Sequence, residues 1–174
     1  MIPRVYLAGP EVFHPDARRL ASEKIALCAR FGLEGIFPAD DGSHLAGDAR
    51  SIYRANLDRI ARCQGILANL SPFRGPHADP GTVFEVALAV ARGLPVAGYT
   101  GVPGALKDRI SSGLHPGTDA DGLAIEDFGL AENLMPAVAL AEDGMPIEIA
   151  DDGPWGLDGA ARALARLAVR LHFR

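Results

Sequence analysis

Long apolar runs are missing from this chain. Among its 174 residues no stretch reaches the roughly 18 consecutive apolar residues of a membrane-crossing helix. Cysteine is scarce: Cys28 and Cys63 are the two present, each inside a helix-like apolar pattern and without the close spacing of a zinc or redox pair. They read as reduced core residues of a cytoplasmic protein. The amino terminus, Met1 to Tyr6, carries no charged leader with an apolar signal core and runs straight into a strand pattern, so neither secretion nor membrane insertion is expected. Positive charge is not in excess either. A formal net charge of −5 and a pI near 5.5 argue against whole nucleic acid as a partner, since such binders gather Lys and Arg on one face. His14, His44, His77, His115 and His172 lack pairwise metal-ligand spacing, so no metal site is expected. No G-x-G-x-x-G turn follows the first strand, which counts against dinucleotide binding, and the chain has no internal repeat or low-complexity tract.

What is there is an alternation of short apolar runs with helical ones. At 48% hydrophobic and 22% charged, the chain has enough apolar material for one core, and a single domain over residues 1–174 is expected. Strand patterns at 4–8, 35–37, 65–70, 94–99 and 146–150 alternate with helical patterns at 15–31, 46–62, 80–92 and 157–171. Gly93 reads as a helix stop before the fourth strand. The Gly- and Asp-rich stretch 113–122 reads as a loop rather than a domain boundary. Short apolar strands separated by helices predict an α/β three-layer sandwich, flavodoxin-like or Rossmann-like, around a mostly parallel five-stranded sheet. Ligands of such sheets sit beyond the carboxyl ends of the strands. The segments leaving those ends, residues 9–13, 38–42 and 71–81, are rich in Gly, Pro, Asp and Phe, a composition suited to loops around a flat polar molecule.

One residue breaks the pattern. Glu85 stands inside the most apolar helical run of the chain, residues 83–91, where a carboxylate is costly unless it is paired or its pKa rises. With apolar neighbours on every helical face, no polar stripe carries it to solvent, so it reads as a nucleophile, with a salt-bridged structural glutamate as the alternative. Asp79, Pro80 and Gly81 form a helix start: Asp79 can cap it, Pro80 suits the first position, and Gly81 admits a ligand to the positive end of the helix dipole. Plain capping explains Asp79 equally well. Tyr6, on the first strand, can orient Glu85 through its phenol or serve as a core aromatic. Phe13, after the first-strand turn, is the candidate for stacking on an aromatic ligand and Phe37 a second; Asp40 can contact such a ligand's edge or simply form a turn.

Four motifs in order, residues 6–10 (Tyr-Leu-Ala-Gly-Pro), 69–76 (Asn-Leu-Ser-Pro-Phe-Arg-Gly-Pro), 79–85 (Asp-Pro-Gly-Thr-Val-Phe-Glu) and 133–135 (Asn-Leu-Met), resemble those of the nucleoside 2-deoxyribosyltransferases. The resemblance spans residues 4–136. It implies that Glu85 attacks C1′ of a 2′-deoxynucleoside, that Tyr6 holds Glu85 in position, and that a second base then takes the sugar from the glutamyl ester in a retaining double displacement, as in nucleoside salvage. It implies no cofactor. Asp79 matches an aspartate that contacts the sugar hydroxyls or helps protonate the base. Gly9 and Gly81 belong to the substrate-binding turns, and Asn133 and Met135 match a segment that in relatives reaches the neighbouring subunit's pocket, so a homo-oligomer of at least two copies with shared sites is implied. Met135 as ordinary core is the alternative. Two departures stand out. Ala87-Leu88-Ala89 replaces a Gly-Tyr-Ala of many relatives, and Asn56 falls where some have a base-contacting aspartate, which keeps hydrogen bonding but removes a titratable proton. Asp58, among Arg54, Arg59 and Arg62, reads as a surface ion-pair residue.

Two rival functions fit the same residues. A nucleoside or nucleoside 5′-monophosphate N-glycosidase would let water accept the sugar; Glu11, in the first loop, argues against a phosphate there by repulsion, while Arg74 could bind one. A non-catalytic nucleotide-ligand sensor would use Glu85 only to grip a ribose hydroxyl, but no effector domain is evident.

Overall fold

The architecture follows from strict two-residue alternation along the strands. A computed structural model describes residues 2–38 and 48–173. Five parallel strands, β1 (Arg4–Ala8), β2 (Glu34–Ile36), β3 (Gly65–Asn69), β4 (Val96–Thr100) and β5 (Glu148–Ile149), form one sheet in the order β2-β1-β3-β4-β5. This is the flavodoxin-like order, with the chain winding one way from β1 to β2 and the other way from β3 onward. Helices α1 (Ala17–Arg30), α2 (Ala49–Ala61), α3 (Pro80–Ala91), α4 (Leu134–Glu142) and α5 (Asp158–His172) cover both faces.

Val5 and Leu7 of β1, Leu67 of β3 and Ala97 and Tyr99 of β4 pack with Leu27 of α1 and with Leu164 and Leu167 of α5. The alternate positions Tyr6, Ala8, Ile66, Ala68 and Val96 pack instead with Ile60 of α2, Val86 and Ala89 of α3 and Leu140 of α4. Burying each such Leu, Ile or Val contributes on the order of 1.5–3 kcal/mol. Register therefore assigns chemistry: Tyr6 pairs with Ile36 and Ile66, and this parity turns its ring toward α3, where a one-residue slip would turn it away.

Helix ends follow from local signals. Asp79 caps α3 by accepting from the Thr82 N–H at 2.9 Å, and Pro80 opens the helix. Gly93 closes it in the left-handed region (φ 68°); Gly93 N–H reaches Val90 O at 3.0 Å and Leu94 N–H reaches Ala89 O at 3.0 Å, the paired bonds of a Schellman stop.

Several boundaries differ from expectation. β4 starts at Val96 because Leu94 N–H is spent on the α3 stop, and β5 is an edge strand of two residues. α4 was not expected; its start is signalled by Asn133, whose Oδ1 accepts from Met135 N–H at 3.0 Å, and by Pro136 in the first turn. The segment 113–122 is tied to its flanks by the isolated bridges Ser112 to Asp119 and Thr118 to Ala124. α3 is apolar all round for a different reason than enclosure: Phe84 is 51% and Val90 42% exposed, so one apolar face is uncovered in the single chain. No helix among the described residues is long and apolar enough to cross a membrane.

Candidate active site

The carboxyl ends of β1 and β3 diverge toward opposite neighbours, and the loops leaving them border a cavity of about 370 Å³. Glu85 lies on its wall together with Asp79, Gly81, Asn56, Gly9 and Phe13. Six of the expected residues thus meet in one hollow, although they come from two loops and two helices. A second hollow of about 260 Å³ shares Tyr53, Asn56, Gly81 and Glu85 with the first and is completed by Leu57, Ile60 and Phe84. Tyr53 and Phe84, whose rings meet at 6.3 Å, line this region without having been singled out in the sequence; the aromatic directly before Glu85 was the available signal.

Tyr6 is fully buried in the core and also donates its phenol O–H to Glu85 Oε1 at 2.6 Å. It is thus at once a core aromatic and a hydrogen-bond partner of Glu85. Burial, then the charge of Glu85 and the hydrogen bond to it, push the Tyr6 pKa up, so it stays a proton donor. Glu85 itself is pushed up to about 7, by burial first; the Tyr6 hydrogen bond pulls it down and the Asp79 carboxylate pushes it up. Among the described residues no Lys or Arg forms an ion pair with Glu85. The group is neither in bulk solvent nor locked to a cation. Near neutrality it can ionise at little cost, hold a short hydrogen bond and face an electrophile in the cavity.

Asp79 spends Oδ2 on its cap, accepting from Thr82 N–H and from Thr82 Oγ at 3.1 Å. Asn56, on α2, accepts from Arg59 through Oδ1 at 3.2 Å and borders the cavity. Phe13 is 46% exposed and backed by Phe73, ring centroids 5.1 Å apart and 19° from parallel; the Arg74 guanidinium sits 5.3 and 4.8 Å from the two ring centres. Phe37 is elsewhere. It is 2% exposed and packs in the cluster between the sheet and α1 and α5, on the opposite side from Glu85, and it is its neighbour Pro38 that borders the cavity. Asp40 lies outside the described residues.

Glu11 does not face the cavity. Its side chain is 1% exposed and buried with Lys24, 3% exposed; it also accepts from the Asn69 amide and, at 3.4 Å, from Tyr99 O–H. Gly9 makes room for this group, since a Cβ there would collide with the Glu11 carboxylate. The expected repulsion of a phosphate by Glu11 is therefore absent, because Lys24 neutralises the acid inside the core. Asp58 is exposed.

Asn133 and Met135 do not reach the cavity of their own chain. Asn133 caps α4 and donates through Nδ2 to Glu126 at 2.7 Å. Met135 is 70% exposed, so the core reading fails for it, and it lines an apolar groove of about 290 Å³ with Val83, Val86 and Val90 of α3. Among the described residues, no cluster of His, Cys, Asp and Glu is arranged to hold a metal ion.

Comparisons with known proteins bear on the family and the fold. Residues 5–135 match the family model of the nucleoside 2-deoxyribosyltransferases. An uncharacterized protein of Schizosaccharomyces pombe is 35% identical, with 77% of this chain and 75% of that protein covered. Among solved structures, a 2-desoxiribosyltransferase from Leishmania mexicana superposes with a TM-score of 0.66 at 34% identity, covering 77% of this chain and 85% of that one. A conserved protein from Enterococcus faecalis shares the fold at a TM-score of 0.58 and 15% identity, covering 95% and 99%.

Proposed function

The chain belongs to the nucleoside 2-deoxyribosyltransferase family, and from that premise we propose that it moves the 2-deoxyribosyl group of a nucleoside from one purine or pyrimidine base to another through an ester on Glu85. The observation that carries the reading is the short Tyr6 to Glu85 hydrogen bond on the wall of a cavity, with the Glu85 pKa near neutrality and no cation paired with it among the described residues. In the first half-reaction a Glu85 oxygen forms a bond to C1′ while the C1′–N bond breaks, and the departing base takes that electron pair and gains a proton. In the second, a ring nitrogen of the incoming base attacks C1′, the ester bond returns its electrons to Glu85, and the new base loses its proton. Two inversions retain configuration.

Tyr6 positions the carboxylate. Phe13, stiffened by Phe73 and Arg74, stacks on the base; Asn56 hydrogen-bonds the base edge, and the Asp79 oxygen not used in the cap meets the sugar hydroxyls or the departing base. Gly9 and Gly81 let substrate approach the backbone. Water must be kept from the ester, which an apolar wall assists. Closure is supplied by a second copy: Met135, Phe84 and Val90 form an uncovered apolar surface suited to a homo-oligomer of at least two chains, with Asn133 and Met135 delivered to the neighbour's site. We place this activity in cytoplasmic nucleoside salvage.

Incubation with deoxyinosine and adenine is expected to yield deoxyadenosine, and Glu85→Ala to abolish it; a fully active variant would falsify the nucleophile. One observation favours a second reading, hydrolysis of a nucleoside 5′-monophosphate: Glu11 is withdrawn into the core and the exposed Arg74 is the charged group beside Phe13. Faster turnover of deoxyinosine monophosphate than of deoxyinosine, with water as acceptor, would select it.

A further inference from the structure

A third acid, Glu132, is buried to 2% exposure without bordering the cavity. Its partners come from two irregular segments. From the loop after β3 it accepts the Ala78 N–H through Oε2 at 2.9 Å and meets His77 Nδ1 through Oε1 at 2.9 Å; from the start of α4 it accepts the Asn133 N–H through Oε1 at 2.9 Å. Arg109 stands 4.0 Å away and binds both segments by their carbonyls, Pro76 O at 3.1 Å and Ala131 O. Ala78 directly precedes Asp79, and Asn133 opens the turn that carries Met135.

No regular ladder fixes either segment here, so backbone N–H groups at 78 and 133 take their place from one carboxylate. We infer that Glu132 is a positioning residue: it sets Asp79 and the α3 start on one side and the Asn133 to Met135 turn on the other, and so aligns the two parts that the proposed reaction requires without touching substrate. This rests on the proposed transfer reading. A buried acid held only for stability would leave turnover per folded molecule unchanged, whereas misplacing a binding group by about 1 Å can cost up to about a hundredfold in rate.

The test compares kcat and KM for base exchange, and the single-turnover rate of ester formation, in Glu132→Gln, Glu132→Ala, His77→Ala and the core variant Leu164→Ala, each corrected for its folded fraction. Glu132→Gln keeps one acceptor and sets an N–H₂ against the other backbone donor; kcat is expected to fall about tenfold. Glu132→Ala loses both anchors and is expected to fall about a hundredfold. His77→Ala leaves both backbone bonds and should stay within about threefold, as should Leu164→Ala, which lowers only stability. Should Glu132→Ala fail to fold, the Gln variant decides. Wild-type kcat, KM and ester formation in folded Glu132→Gln overturn the inference, as does an equal loss in His77→Ala, which would assign the effect to the ion pair. Absence of any ester in the wild-type protein overturns the transfer reading instead, so the two failures are separable.

Discussion

Glu11 and Glu85 are two acids withdrawn from water at the same end of one sheet, and the fold treats them in opposite ways. Glu11 lies on the α1 and α5 side with a buried lysine and an amide against it. Glu85 lies on the α3 side with a neutral phenol for a partner, and burial pushes its pKa up to about 7. The first arrangement compensates its charge fully, as a structural ion pair must, because a lone buried charge is not tolerated. The second leaves the charge under-compensated beside a cavity, which is what a reacting carboxylate needs. Two buried tyrosines accompany the two acids and both are pushed up in pKa, chiefly by burial. The cation makes the difference.

Removing that cation is the strongest way to break the comparison. Lys24→Met strands the Glu11 charge in the core and is expected to lower stability by about 3–5 kcal/mol in urea unfolding, with Glu11→Gln in the same chain restoring a large part. An unchanged midpoint would make the two acids alike.

The opposite sign is expected for the other acid. Between pH 4.5 and about 7 the folded protein keeps on Glu85 a proton that the unfolded chain has already released, so stability falls as pH rises through that window. Glu85→Gln removes this penalty. It should be more stable than wild type at pH 8, by up to about 3 kcal/mol at roughly 1.4 kcal/mol per pH unit, and no more stable below pH 4.5. Equal pH dependence in the two proteins contradicts the raised pKa.

A subtler variant probes the phenol. Activity should rise with pH through about 7 as Glu85 ionises, and Tyr6→Phe removes the one influence that pulls its pKa down. The rising limb should move to higher pH, and kcat/KM at pH 7 should fall about 10- to 100-fold, the value of a hydrogen bond to a charged group. An unmoved limb detaches Tyr6 from the nucleophile.

The sequence disclosed the layers of this fold because period-two and period-3.6 patterns are local properties, and it disclosed Glu85 because a charge stood out within one apolar run. α4 escaped notice although Asn133 and Pro136 announce its first turn. Glu11 and Glu132 were out of reach for another reason: Lys24 is 13 positions from Glu11, and Ala78 is 54 from Glu132, with no helical or strand period to link them, so only the fold brings each acid to these partners. Phe13 and Phe37 both qualified for stacking after their strands, Phe13 as the first candidate and Phe37 as the second. Packing separates them, for Phe37 closes the α1 and α5 core while Phe13 stands against Phe73 at the cavity. The premise drawn around Glu85 was partly wrong, since its helix is apolar all round through an exposed face and not through enclosure.

Acid quenching during turnover of deoxyinosine, followed by peptide mass mapping, tests the account most directly. A deoxyribosyl ester is predicted on the peptide containing Glu85, lost on adding adenine and never formed in Glu85→Gln. Base exchange persisting in Glu85→Gln, or the sugar appearing on another side chain, would contradict it.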